Sequence, residues 1–94
     1  MEHQNRKALL KSLEQVFEKP ELIEEHWEVI STHLKELIET APEGLEGVAQ
    51  IINNHLSKVP HFQSSKIQKF ELESGMLKLK TYFQRLNAFE VTPE

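Results

Sequence analysis

The chain has 94 residues, of which 38% are hydrophobic and 28% charged, and its formal net charge at pH 7 is −4. These values are typical of a globular protein and exclude an intrinsically disordered one, and the length suits a single helical domain over residues 1–94. The absence of cysteine excludes disulfides and thiolate chemistry. No apolar run approaches the roughly 20 residues that span a bilayer, so we expect no membrane association and a cytoplasmic location.

Two amphipathic helices are predicted in the first half of the chain. The first spans about residues 2–18 and ends before Pro20, because the residue that precedes a proline avoids the α-helical region. The second spans Pro20 to Thr40 and has a broad apolar face that is expected to form the core. Its apolar positions include Ile23, Trp27, Ile30, Leu34 and Leu37, and those of the first helix are Leu9, Leu10, Leu13, Val16 and Phe17.

A third helix is predicted between Thr40 and Pro60. Thr40 and Glu43 have the spacing of a capping box, in which each side chain satisfies a backbone N–H of the other residue. Gly44 and Gly47 weaken this helix by up to ~1 kcal/mol each relative to alanine. We therefore expect these two glycines to allow the close approach of a neighbouring helix.

Residues 66–89 fit two different structures. As a β-hairpin near residues 69–80, Ser74 and Gly75 form the turn, and Leu72 pairs with Leu77. As a helix, the segment has a core stripe on one side and three large apolar residues on the other. The stripe is Leu72, Met76, Leu79, Phe83 and Leu86, and the three opposite residues are Ile67, Phe70 and Leu77. Because the helix leaves those three without a core to pack on, the hairpin is the preferred interpretation.

The resulting fold class is mostly α. We expect a compact three- to four-helix bundle, completed by the hairpin and a closing helix or by one long fourth helix. In both cases residues 81–89 form helix, and residues 90–94 are expected to be a frayed tail.

The sequence has no pattern typical of an enzyme, a cofactor site or a metal site. None of the five histidines has a diagnostic metal-ligand spacing, and there is no glycine-rich phosphate loop. The carboxylate pairs of the second helix are expected to be solvated, whereas general acid–base catalysis needs two differing environments. We therefore predict no catalytic, cofactor-binding or metal-binding residue.

Charge is distributed unevenly along the chain. Residues 21–46 contain eight glutamates and one base, Lys35, whereas residues 58–85 contain six bases and two glutamates. Because acidic faces attract basic partners, we expect a non-catalytic protein that binds another protein. Inhibitors, antitoxins and immunity proteins of this size act in this way, and formation of a homo-oligomer is equally compatible. The predicted contacts are Glu24, Glu25, Glu28, Glu36 and Glu39.

The alternative is a nucleic-acid-binding domain that is similar to a winged helix. Three helices followed by a hairpin is the element order of that fold, and Phe70 and Tyr82 could stack on bases. Against it, the third helix has Lys58 as its single basic residue apart from His55, and the net charge is negative. The predicted nucleic-acid contacts are Lys66, Lys69, Lys78, Lys80 and Arg85.

Overall fold

Four α-helices account for most of the part of the chain that the structure describes. The computed structural model describes residues 1–91 of the 94-residue chain. Helix α1 spans His3–Glu18, α2 spans Ile23–Glu39, α3 spans Glu46–Ser57 and α4 spans Ser65–Val91. Two short 3₁₀ turns, Pro20–Leu22 and Val59–His61, hold the prolines that separate consecutive helices. The predicted mostly α fold with four helices is confirmed.

The helices are arranged as the four corners of a square. Each helix packs on the next one along the chain, and α4 closes the bundle by packing on α1. Among residues 1–91, α2 and α4 lie diagonally opposite and their backbones do not approach each other closely, and the same holds for α1 and α3. The outward faces of α2 and α4 therefore point away from each other.

The core is one cluster to which all four helices contribute. The stripe predicted for the second helix is buried at Ile30, Leu34 and Leu37, while Ile23 and Trp27 lie at its partly exposed end. Helix α4 contributes the largest share, since it buries the full helical stripe predicted for residues 72–86. The fully buried side chains are Leu9, Leu13, Val16, Ile30, Leu34, Leu37, Ala49, Ile52, Leu56, Val59, Leu72, Leu79 and Tyr82.

The predicted hairpin near residues 69–80 is wrong, because this segment lies inside α4. The described residues contain no β-strand. A lone two-stranded hairpin is marginal in water, whereas one continuous helix adds Leu72, Met76, Leu79 and Phe83 to a core shared with three other helices. Leaving Ile67, Phe70 and Leu77 exposed is the cost of that arrangement.

The junction of α2 and α3 differs from the predicted capping box. The Thr40 hydroxyl donates a 2.8 Å hydrogen bond to the carbonyl oxygen of Glu36, so Thr40 ends α2 and does not begin α3. Helix α3 begins three residues later than Glu43, and its N-cap residue, Leu45, makes no side-chain capping bond. Gly44 has a φ of +96°, a conformation that glycine adopts without strain, and it turns the chain between the helices.

The glycine that permits close helix packing is Gly75 of α4. A Cβ added at Gly75 would lie 2.9 Å from Cγ of Leu56 in α3, and so would overlap that side chain. Gly44 and Gly47 are exposed, and a Cβ at either of them would meet nothing within 4 Å. The close approach predicted at Gly44 and Gly47 is therefore wrong, and it occurs at the α3–α4 contact instead.

The expected frayed tail at residues 90–94 is wrong for its first two residues. Glu90 and Val91 belong to α4, and residues 92–94 lie outside the described part of the chain. The Glu90 carboxylate accepts hydrogen bonds of 2.9 and 2.8 Å from the two terminal nitrogens of Arg6, whose side chain is buried. A buried guanidinium needs such a partner, so it ties the end of α4 to α1. The same contact holds the pKa of Glu90 below its ordinary value.

Candidate functional site

The five glutamates predicted to contact a partner lie on the outward face of α2. Their spacing places Glu24, Glu25, Glu28, Glu36 and Glu39 within about one third of the helix circumference, away from the buried stripe. All of them are exposed except Glu36, which is half-buried. We call this surface the acidic face.

Glu36 differs from the other four glutamates because it already has partners within the chain. Its two carboxylate oxygens accept hydrogen bonds of 3.1 and 3.2 Å from the side-chain amide of Asn5 in α1. His33 Nδ1 lies 3.7 Å from the same carboxylate. Within residues 1–91 the carboxylates of the other four form no hydrogen bond or ion pair, so they are free to meet a partner. The acidic face is thus built from four free carboxylates and one that helps to fix α2 on α1.

A cleft lies at the N-terminal edge of the acidic face. It has a volume of about 310 Å³ and is lined by Ile23, Glu24 and Trp27 of α2 and by Pro60 of the second 3₁₀ turn. Trp27 was predicted to pack in the core, and it does contact the core cluster while remaining partly exposed. The cleft combines an aromatic side chain, two apolar side chains and a carboxylate, and this mixture is typical of the centre of a protein–protein contact.

The basic residues predicted for nucleic-acid binding are divided between the two edges of α4. Lys69 lies on the edge next to α1, where its Nζ is 5.2 Å from the centre of the Phe17 ring. Lys78 lies on the opposite edge, next to α3, with its Nζ 3.2 Å from Nδ1 of His55. Helical spacing places Lys66 and Lys80 on the first edge and Arg85 on the second. The structure therefore does not collect these five residues into one patch, and the hairpin that would serve as a wing is absent from residues 1–91.

A polar cluster between α3 and α4 was not predicted. His55 Nε2 pairs with the Glu71 carboxylate, and the two side chains are largely buried. Together with Lys78 they line a groove of about 600 Å³, and none of the residues that line it carries a hydroxyl or thiol group that such a pair could activate. Glu71 and Lys78 are seven residues apart and so lie on one edge of a helix, but in the predicted hairpin they also pair directly across the two strands on one face. This spacing therefore could not have revealed the cluster, because the position of His55 beside them depends on the packing of α3 on α4.

The described residues offer neither a metal site nor a membrane-crossing helix. Among residues 1–91 no three histidine or carboxylate side chains come close enough together to hold a metal ion. Within the same range only α4 has the length of a membrane-crossing helix, and it is too polar to be one.

Comparison with known proteins assigns no family to the chain. A scan of protein-family models, a search of curated proteins and a search of solved structures each found no match.

Proposed function

We propose that the protein is a non-catalytic binding protein that captures a basic protein partner on the acidic face of α2. The observation that carries the proposal is the set of four carboxylates, at Glu24, Glu25, Glu28 and Glu39, that lie exposed on one helix face without partners in residues 1–91. Their fields add, so they attract lysine- and arginine-rich surfaces and speed the encounter with them.

The cleft beside Glu24 supports this proposal, because charge alone gives little affinity. Exposed ion pairs contribute about 0–1 kcal/mol each, whereas buried aromatic contacts dominate most interfaces. Trp27 at the edge of the acidic face offers such a contact to an apolar side chain that is flanked by basic residues. Val29, which is 47% exposed, adds apolar surface at the opposite edge. The proposed partner surface is therefore basic at its rim and apolar at one point.

A protein of this kind acts by covering the basic surface of its partner. Basic surfaces commonly bind phosphates of nucleic acids, so the acidic face would compete with them in the manner of an inhibitor, antitoxin or immunity protein. The proposed setting is the cytoplasm. The chain has no cysteine, so it forms no disulfide that would require an oxidising compartment.

The test is affinity capture from the native lysate with the wild-type chain and a neutralised variant, followed by titration of the captured protein. The variant carries Glu24→Gln, Glu25→Gln and Glu28→Gln, which remove charge while preserving size and add no positive charge at the start of α2. We expect it to bind roughly tenfold more weakly or worse, and to lose most of the salt dependence. Because Trp27 is the only tryptophan, its fluorescence reports contact at the cleft.

The matched control removes three exposed glutamates elsewhere, with Glu14→Gln, Glu18→Gln and Glu43→Gln. It has the same net charge as the test variant. If both variants lost binding equally, the loss would depend on net charge and not on the acidic face, and the proposal would be contradicted. Recovery of nucleic acid, with binding that depends on Lys78 and Lys80 and not on the acidic face, would favour the winged-helix-like alternative.

A further inference from the structure

We propose that a second copy of this chain docks on the outward face of α4, with the two α4 helices packed antiparallel in a symmetric dimer. The inference does not rest on the proposed role of the acidic face, which lies on the opposite side of the bundle. Three large apolar side chains, Ile67, Phe70 and Leu77, lie exposed on the outward face of α4.

These side chains form an exposed stripe along α4. Ile67, Phe70 and Leu77 are 48%, 70% and 67% exposed, and their spacings of three and seven residues place them on one side of the helix. Ser74 and Thr81 continue the stripe at the same heptad spacing and are small enough for another helix to approach closely. Helix α4 is thus apolar on two sides, and only one of them faces the core of its own bundle.

The charges that flank the stripe are complementary to themselves when the helix direction is reversed. Glu73 and Lys80 lie seven residues apart on one edge of the stripe, and Glu71 and Lys78 lie seven residues apart on the other. In an antiparallel pair of identical helices each edge meets the same edge of the second copy running the opposite way. Every glutamate then faces a lysine, which makes four ion pairs across the dimer. In this register Ser74 packs against Leu77 of the second copy, and Phe70 against its Thr81.

The two edges do not contribute equally to this argument. Glu71 already pairs with His55 in its own chain, and Lys78 Nζ lies beside the same ring. Glu73 and Lys80 are exposed and form no hydrogen bond or ion pair within residues 1–91. The edge that carries Glu73 and Lys80 therefore identifies the occupant as a second copy.

Two other arrangements of copies fit the same surface less well. A parallel pair would bring the two different edges together. Glu73 would then face Lys78 of the second copy and Lys66 would face its Glu71, but Lys80 would face Arg85, a repulsion that the antiparallel pair avoids. Docking of the acidic face of one copy on α4 of the next is a heterologous contact between opposite sides of the molecule, and it produces open chains rather than a closed dimer.

The test is sedimentation equilibrium of the full chain at increasing concentration. We expect wild type to form dimers with a dissociation constant in roughly the micromolar range, since one pair of helices buries an area at the small end of specific interfaces. Glu73→Lys and Lys80→Glu should each weaken the dimer by about tenfold, because each puts like charges face to face. Mixing the two variants should restore full association, since each lysine of one then faces a glutamate of the other.

The substituted residues are exposed and good helix formers, so circular dichroism spectra should match wild type and exclude a folding defect. Leu77→Glu should abolish association by placing a charge in the middle of the stripe. A wild-type chain that is monomeric at several hundred micromolar would overturn the proposal. A dimer that Lys80→Glu strengthens would indicate parallel packing, and growth beyond dimers would indicate head-to-tail docking; either result overturns it as well.

Discussion

Replacing Gly75 by alanine is expected to destabilise the protein, although alanine is normally favoured in a helix. A Cβ at this position would lie 2.9 Å from Cγ of Leu56, which is fully buried in the core and has little room to move. Overpacking of this kind costs about 1–3 kcal/mol, while removing glycine from a helix gains about 1 kcal/mol. The expected net loss in free energy of unfolding is about 1 kcal/mol, which lowers the melting temperature by roughly 4–8 °C.

Gly47→Ala in α3 is the matched control. It makes the same chemical change inside a helix, but a Cβ at Gly47 meets nothing within 4 Å. Only the helix propensity term remains, so we expect stabilisation by up to about 1 kcal/mol. In a Leu56→Val background the neighbour of Gly75 is smaller, and Gly75→Ala should lose most of its cost. A coupling of about 1 kcal/mol between positions 56 and 75 is the expected result of that double-mutant cycle.

Urea unfolding followed by circular dichroism measures all of these differences. The protein concentration has to be the same for every variant, because association would add to the apparent stability. If Gly75→Ala and Gly47→Ala stabilise the protein equally, α3 does not approach α4 at Gly75. That outcome would refute the proposed reason for glycine at this position and the helix contact on which it depends.

Two other substitutions test buried polar groups. The Tyr82 hydroxyl is buried without a hydrogen-bond partner in residues 1–91, so Tyr82→Phe should leave stability at neutral pH unchanged or raise it by about 1 kcal/mol in thermal unfolding. Burial raises the pKa of Tyr82 above 10.0, so as the pH rises this hydroxyl ionises in the unfolded chain before it ionises in the folded one. The stability of wild type should therefore fall above about pH 10, and that of Tyr82→Phe should fall less. Arg6 lowers the pKa of Glu90 below its ordinary value of 4.5. The ionised carboxylate therefore stabilises the fold at pH values above 4.5, and this stabilisation is lost as the pH falls through the lowered pKa of the folded state. Glu90→Gln should therefore flatten the acid side of a stability–pH profile, and an unchanged profile would contradict the Arg6 contact.

The first two helices could be predicted from local patterns. Helix α1 begins at His3 and α2 ends at Glu39, each within one residue of the prediction, because prolines and helical periodicity act over a few residues. The same periodicity places the glutamates of α2 away from its apolar stripe, and Glu24, Glu25, Glu28 and Glu39 are exposed there, whereas Glu36 is half-buried. These properties depend on residues within one helix, so they can be predicted from the local sequence.

The errors concern choices that depend on the whole bundle. Residues 69–80 have a consistent hairpin register, and what excludes it is the burial that one long helix achieves against three others. The hydrogen-bonded ion pair between Arg6 and Glu90 joins residues that lie 84 positions apart, and no local sequence pattern predicts it. The cleft beside Trp27 likewise requires Pro60 from a distant turn. Each of these features depends on contacts between residues that are distant in sequence, and helical periodicity does not predict such contacts.

The diagonal placement of α2 and α4 determines what a dimer through α4 could do. Because the acidic face points away from α4, the two copies would present their acidic faces on opposite outer sides of the assembly. One partner molecule could not cover both faces, so each dimer would bridge two separate partners or two sites on an oligomeric one. In the second case binding would gain avidity, with an effective local concentration set by the rigid span of two bundles and not by a flexible linker. Disrupting the dimer would then weaken capture of an oligomeric partner without altering any residue of the acidic face.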